Sequence, residues 1–232
     1  KQMKVVILTA VWKRPELFKI FLDGIKRVRK NTEHEVILVT VGSEKKSFSS
    51  NHIEHNNFPL SHKWQSGLNH VRTLNPDYVL MLGSDDFICS NLLGVYTKEM
   101  DKGTDLIGLL DCYFLDARVN SLTHWLGYRN HRRGESIGMA RMLSSKFLDK
   151  LDWQVWVKPI NRGLDSEMMR NIRSVKHSEA MFKCKDENIM ALDVKTDTNI
   201  SNIKTYRDLN LVDTKTLSSF ISEKEFYKLI DL

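Results

Sequence analysis

The chain has 232 residues, 41% of them hydrophobic and 28% charged, which is enough for one substantial core and favours a single domain. No run approaches the roughly 18 apolar residues that a membrane span needs, so no transmembrane segment is expected. The formal net charge of +6 suits an anionic ligand without choosing among a sugar nucleotide, a nucleic acid and a membrane surface.

Lys1-Gln2-Met3-Lys4 runs straight into an apolar stretch, without the charged, apolar and cleavage-site order of a signal peptide. The absence of an initiator Met leaves room for a larger parent protein. Cys89, Cys112 and Cys184 are odd in number, far apart and outside any C-x-x-C pair. A disulfide framework or structural zinc site is therefore not expected, and a reducing, cytoplasmic location is.

Residues 4–9 form a short apolar run without alternation, as expected of a strand buried on both faces. Arg14-Pro15-Glu16 opens a helix, with Pro at its first position and an acid in its first turn. Leu17, Phe21, Ile25 and Val28 recur at helical spacing, and Lys26, Arg27, Arg29 and Lys30 crowd the end that the dipole makes negative. A second buried strand spans 35–41 and stops at Gly42-Ser43. This β-α-β opening implies a parallel sheet.

A helix follows over 61–74, ended by Asn75-Pro76, and then a third apolar strand over 77–82. That strand stops abruptly at Gly83-Ser84-Asp85-Asp86. The pattern continues with a helix at 91–102, a strand at 106–113 and a returning hairpin arm at 119–128. A polar, basic loop covers 129–135. Helices are expected at 144–151 and 164–172, strands at 180–184 and 189–194, and short helices from 217 onward. No repeat, low-complexity segment or Gly/Ser linker interrupts the chain, so residues 1–232 read as one α/β domain. Its core spans about 4–195, followed by a helical appendage over about 200–232.

In open α/β sheets ligands bind outside the carboxyl ends of the strands. Three loops meet that condition, at 9–14, 41–44 and 83–86. The third sets two carboxylates and a hydroxyl after a buried strand, which suits a hard cation held by one or two side chains and by substrate phosphates. An acidic turn also arises simply because Asp stabilises turns and caps helices.

The order of these segments resembles family 2 glycosyltransferases of the GT-A fold. Such proteins have a first strand ending in Thr or Ser before an Arg-Pro-Glu helix start, as in Val6-Ile7-Leu8-Thr9 and Arg14-Pro15-Glu16-Leu17. A helix carrying Lys63, Gly67 and Asn69 then precedes the strand that ends in Ser84-Asp85-Asp86, in the place of a D-x-D motif. Gly134-Glu135-Ser136-Ile137-Gly138 and Gly163-Leu164-Asp165-Ser166-Glu167 follow in the family's order. The resemblance covers about residues 4–175. It implies a mostly parallel, Rossmann-like sheet flanked by helices, with a small antiparallel hairpin and short C-terminal helices. Where family members carry an Asp pair or Asp-Gly after the second strand, this chain has Gly42-Ser43-Glu44.

By the same resemblance the chain transfers a sugar from a nucleotide-diphosphate sugar, a UDP-sugar, to a glycan or other hydroxyl acceptor. The transfer inverts configuration in one displacement. Asp86 is the expected ligand of Mn²⁺ or Mg²⁺, with Asp85 as a ribose or supporting partner and Ser84 a departure from the full motif. Donor contacts are expected from Thr9, Ala10, Arg14, Lys63, Ser84 and Asp85. Asp165 is the expected base. Glu167 lies about 200° round the helix from it, so the two do not both face the cleft. An Asp in a first helical turn is also the ordinary complement to the dipole.

Arg129, His131, Arg132 and Arg133 offer charge to a diphosphate, or form a solvated loop, which is commoner. His177 stands where a late His ligates the metal in some GT-A enzymes, or is a surface His. Trp125, Trp153 and Trp156 are sugar-stacking or core residues. His52 and His55, on a short strand, do not suit zinc. Asp193-Val194-Lys195 is read as a sheet edge or a flap over the donor.

A nucleotidyltransferase is the enzyme alternative, but the loop Thr9-Ala10-Val11-Trp12-Lys13-Arg14 lacks the glycines of a phosphate loop. No strand is followed by G-x-G-x-x-G, against a dehydrogenase. The basic residues are scattered without interleaved aromatics, so no nucleic-acid partner is expected. A catalytically inactive sugar-nucleotide binder shares every feature except a working base.

Overall fold

A computed structural model describes residues 1–44, 51–196, 203, 206 and 209–230. The amino-terminal half alternates as its periodicity dictates. Strand β1 (Lys4–Val11) leads through helix α1 (Pro15–Lys30) to β2 (Glu35–Gly42). Then come β3 (Asn51–Glu54), α2 (Leu60–Thr73), β4 (Tyr78–Met81), β5 (Asp86–Ile88) and α3 (Leu92–Lys102). The apolar run of β1 does not alternate because both of its faces are covered. Val5 and Ile7 enter one core with α1 and α3, while Val6 and Leu8 enter another with α2.

The remaining elements are β6 (Leu106–Leu109), β7 (Cys112–Asp116), β8 (Ser121–Trp125), β9 (Arg141–Ser144), α4 (Ser145–Lys150) and α5 (Leu164–Arg173). Strands β10 (Glu179–Phe182), β11 (Ala191–Lys195) and β12 (Leu209–Val212) precede the last helix, α6 (Glu223–Ile230). Two sheets result. The larger has the order β10-β6-β9-β4-β1-β2-β3 and is parallel except where β9 runs against both of its neighbours. The smaller has the order β12-β8-β7-β11-β5 and is mostly antiparallel. The expected mostly parallel sheet with flanking helices and a small antiparallel part is therefore present.

Several expectations need correcting. The segment 106–113 is not one strand. It breaks at Leu110-Asp111, where the chain leaves the large sheet for the small one. Asp111 makes that break polar, since its carboxylate accepts from the Cys184 backbone N–H at 2.7 Å and meets His124 Nε2 at 2.7 Å. Asp86 closes the turn that begins at Gly83, donating its N–H to the Gly83 carbonyl at 3.1 Å, and also opens β5, a strand the sequence did not suggest. Asp193 and Lys195 lie neither on an edge nor on a flap, because β11 is an inner strand paired with β5 and β7. The tail is not wholly helical, since β12 adds an edge to β8. Part of the expected appendage, at 200–202, 204–205, 207–208 and 231–232, lies outside the described residues.

Candidate active site

Strands β1, β2 and β4 are parallel, so their carboxyl ends open on one side of the large sheet. The small sheet meets that side through β5 and β11. Between them lies a cleft of about 1020 Å³. Ala10, Arg14, Lys63, Ser84, Asp85, Asp86 and Asp165 all line it. Thr9 does not. Strand β1 runs on to Val11, so Thr9 is interior to the strand and fully buried, and its hydroxyl has no hydrogen-bond partner among the described residues.

Arg14 organises the acidic turn. Its φ is 56°, in the left-handed region that a non-glycine residue occupies at a cost of about 1–2 kcal/mol. From there Nη1 donates to Asp85 Oδ2 at 2.7 Å, and Nη2 reaches Ser84 Oγ at 3.4 Å. Ser84, in the place of a first Asp, is thus a contact of Arg14. Lys63 is buried on α2 and ties two walls of the cleft, donating to the Val11 carbonyl and to Asn57 Oδ1, each at 2.7 Å. Burial, with the charge of Arg14, lowers its amine to about 8.

Asp86 Oδ2 accepts the Gly83 N–H at 2.7 Å. Directly across the β5–β11 ladder stands Asp193. Burial, then the charges of Asp85 and Asp193, push the Asp86 carboxyl well above the usual carboxylate range. Burial pushes Asp193 up to about 6, although Lys195 opposes the shift. Lys195 Nζ donates to Asp193 Oδ2 at 2.5 Å and packs against the rings of Phe114 and Tyr206. The other oxygen, Asp193 Oδ1, is buried without a partner among the described residues. Asp86 and this orphaned oxygen are hard donors of the kind that Mg²⁺ or Mn²⁺ takes. Among the described residues no three His, Cys, Asp or Glu side chains gather to hold an ion alone. A cation here fits only if substrate phosphates or water complete its shell.

Asp165 occupies the first turn of α5 and lines the same cleft. Tyr128 Oη donates to its Oδ2 at 3.2 Å. Burial, then the charge of Asp165, raises the Tyr128 phenol, which keeps it a protonated donor. Glu167 points away, buried and paired with Arg170.

Other expected residues fall elsewhere. Arg129, His131, Arg132 and Arg133 do not line the cleft. His177 packs on Phe147 and pairs with Glu179, away from Asp86. Trp125 and Trp156 line the cleft, whereas Trp153 belongs to the core beside α4. His52 hydrogen-bonds Thr40. The sequence marks Asp193 and Lys195 only as part of an edge or a flap over the donor, and it does not mark Tyr128. Two opposite charges at i and i+2 in an otherwise apolar strand were the available signal for Asp193 and Lys195, since such residues share a face.

No family model matches the chain, and no curated protein matches it significantly in sequence. Solved structures do. S. aureus TarS 1-349 in complex with UDP-GlcNAc aligns with a TM-score of 0.55 at 13% identity, covering 98% of this chain and 64% of that one. The fold is GT-A-like. A further TarS 1-349 structure gives a TM-score of 0.52 at 13% identity, covering 84% of this chain and 59% of that one. A197 from STIV gives 0.50 at 11% identity, covering 91% and 95%. The chain spans less than two thirds of the TarS structures' length. These identities carry the fold alone. No helix among the described residues is long and apolar enough to cross a membrane.

Proposed function

We propose that this chain is a glycosyltransferase that moves a sugar from a UDP-sugar onto a glycan or other hydroxyl acceptor, inverting the anomeric centre in a single displacement. The observation that carries this reading is that Asp165 and the Ser84-Asp85-Asp86 turn open onto one cleft of a GT-A-like fold. The choice of UDP draws support from the UDP-GlcNAc complex of TarS. A cytoplasmic location belongs to the same proposal, consistent with three cysteines that are free and buried.

In this reading Asp165 takes the proton of the acceptor hydroxyl as its oxygen bonds to the anomeric carbon, and the bond from that carbon to the diphosphate breaks. Arg14 and Lys63 line the donor side and offset the negative charge that builds on the leaving group. A Mn²⁺ or Mg²⁺ ion held by Asp86 and the donor phosphates would supply Lewis-acid neutralisation of the leaving diphosphate.

The test is UDP release from a panel of UDP-sugars, with and without Mn²⁺ and acceptor, alongside calorimetric donor binding. Asp165→Asn is expected to lower turnover by about 10²–10⁴-fold while donor binding persists. Full turnover in Asp165→Asn overturns the base assignment. A wild-type chain that binds a donor yet neither transfers nor hydrolyses it is an inactive binder. Release of pyrophosphate from a nucleoside triphosphate and a sugar phosphate would make it a nucleotidyltransferase instead.

A further inference from the structure

Residues 128–135 leave β8 and grip helix α5 at both ends. At its first turn Tyr128 Oη donates to Asp165 Oδ2. At its last residue Arg173 Nη1 pairs with Glu135 Oε2 at 3.2 Å. Arg132 joins the two grips. Its guanidinium lies 3.5 Å above the Tyr128 ring, and its Nε donates to Glu135 Oε1 at 3.0 Å. Glu135 is only 4% exposed and Tyr128 and Arg132 are partly buried, whereas Arg129, His131 and Arg133 face solvent as a basic loop does.

An Asp carboxylate rotates in a broad well, so the plane in which its oxygens lie is loosely set by χ2 alone. The Tyr128 hydroxyl fixes that plane by bonding Oδ2, which leaves Oδ1 as the oxygen free to meet a substrate. A cation over the ring face is attracted to it and polarises the phenol toward a stronger O–H donor. We propose that Tyr128 is a positioning residue that fixes the Asp165 carboxylate toward the acceptor hydroxyl, and that Arg132 acts through Tyr128. This rests on the reading of Asp165 as the base.

Tyr128→Phe deletes the hydroxyl and keeps the ring. It is expected to lower kcat by about 10- to 100-fold, with the donor KM held within about twofold, since misplacing a catalytic group acts on the chemical step. Arg132→Met, which keeps Tyr128 whole, should show a smaller loss of the same kind. Added to Asp165→Asn, Tyr128→Phe should cause no further loss, because the route through the carboxylate is already cut. A residue that only supports the fold would lower both backgrounds equally. Wild-type kcat in Tyr128→Phe, or an equal loss in both backgrounds, overturns the proposal. If the wild type turns over no donor, the functional reading falls. A thermal-unfolding cycle of the same two substitutions then still decides the contact. Coupled shifts support the Tyr128–Asp165 bond, and additive shifts overturn it.

Discussion

A Cβ added at Gly138 would stand 2.1 Å from Asp165 Oδ1 and 2.5 Å from its Cγ. That is far inside contact distance, and the obstructed group is the expected base. Gly138 does not have a left-handed φ, so an alanine backbone is tolerated and the damage stays local. Gly138→Ala should therefore lower turnover by about 100-fold through the displaced carboxylate. The accompanying overpacking should cost about 1–3 kcal/mol, read by urea denaturation. Unchanged turnover would show that the carboxylate's present position is not the working one. Lys63 carries a pH signature. Its folded pKa of about 8 lies below the ordinary 10.5, so unfolding takes up a proton between those values and stability rises with pH across the window. Lys63→Met lacks this contribution. The wild-type advantage over Lys63→Met should therefore grow from about pH 7.5 to about pH 9.5 in denaturant titrations. Burial raises the thiols of Cys89, Cys112 and Cys184, which act in the opposite sense, but both proteins share them and they cancel in the difference. A difference that stays flat with pH would show that Lys63 is not depressed.

The connection that delivers Tyr128 depends on Gly127, two residues past the end of β8. Its φ is 89°, and a Cβ there would stand 1.9 Å from the Leu110 carbonyl oxygen. Both partners are backbone, so neither can turn aside. Gly127→Ala should cost at least about 2 kcal/mol in urea denaturation, more than the usual overpacking of flexible side chains. A cost under about 0.5 kcal/mol would mean that the two backbones are not in contact. Leu110 is also where sequence patterning fails, because 106–113 is apolar throughout and only Asp111 marks the passage between sheets. The elements β1, α1, β2, α2, β4 and α3 were legible because each is set by its own periodicity and its own Pro, Asn or Gly. Strand β9 was not legible, being four residues placed by pairing with β4 and β6. The same holds for the facing of Asp86 and Asp193. Each is an Asp in a short apolar segment, and only a ladder between distant parts of the chain brings them together. Asp165 and the acidic turn were legible as residues, whereas the hydroxyl on Asp165 comes from a hairpin arm that reads as ordinary strand.

At the scale of the molecule the cleft belongs to two sheets. The large sheet contributes Ala10 from β1 and Ser84 and Asp85 after β4, and the small one contributes Asp86 and Asp193 through β5 and β11. A ligand seated between them stabilises only the state in which both sheets are assembled. Free donor at about 100 times its Kd adds about 2.7 kcal/mol of stability. For a chain of this size each kcal/mol moves Tm by about 2–4 °C, so a UDP-sugar with Mn²⁺ should raise Tm by about 5–10 °C. If the cation is held by Asp86 and the donor phosphates together, Mn²⁺ alone should do little, and the donor with a chelator should give only part of the shift. Asp86→Asn should then reduce the shift to that metal-free part, while Asp165→Asn should keep it whole, because a base acts on the transition state and not on donor binding. A shift equal with Mn²⁺ and with chelator would remove the cation from the site and leave Arg14, Lys63 and Lys195 as the charges that meet the diphosphate. No shift with any nucleotide sugar would remove the donor itself.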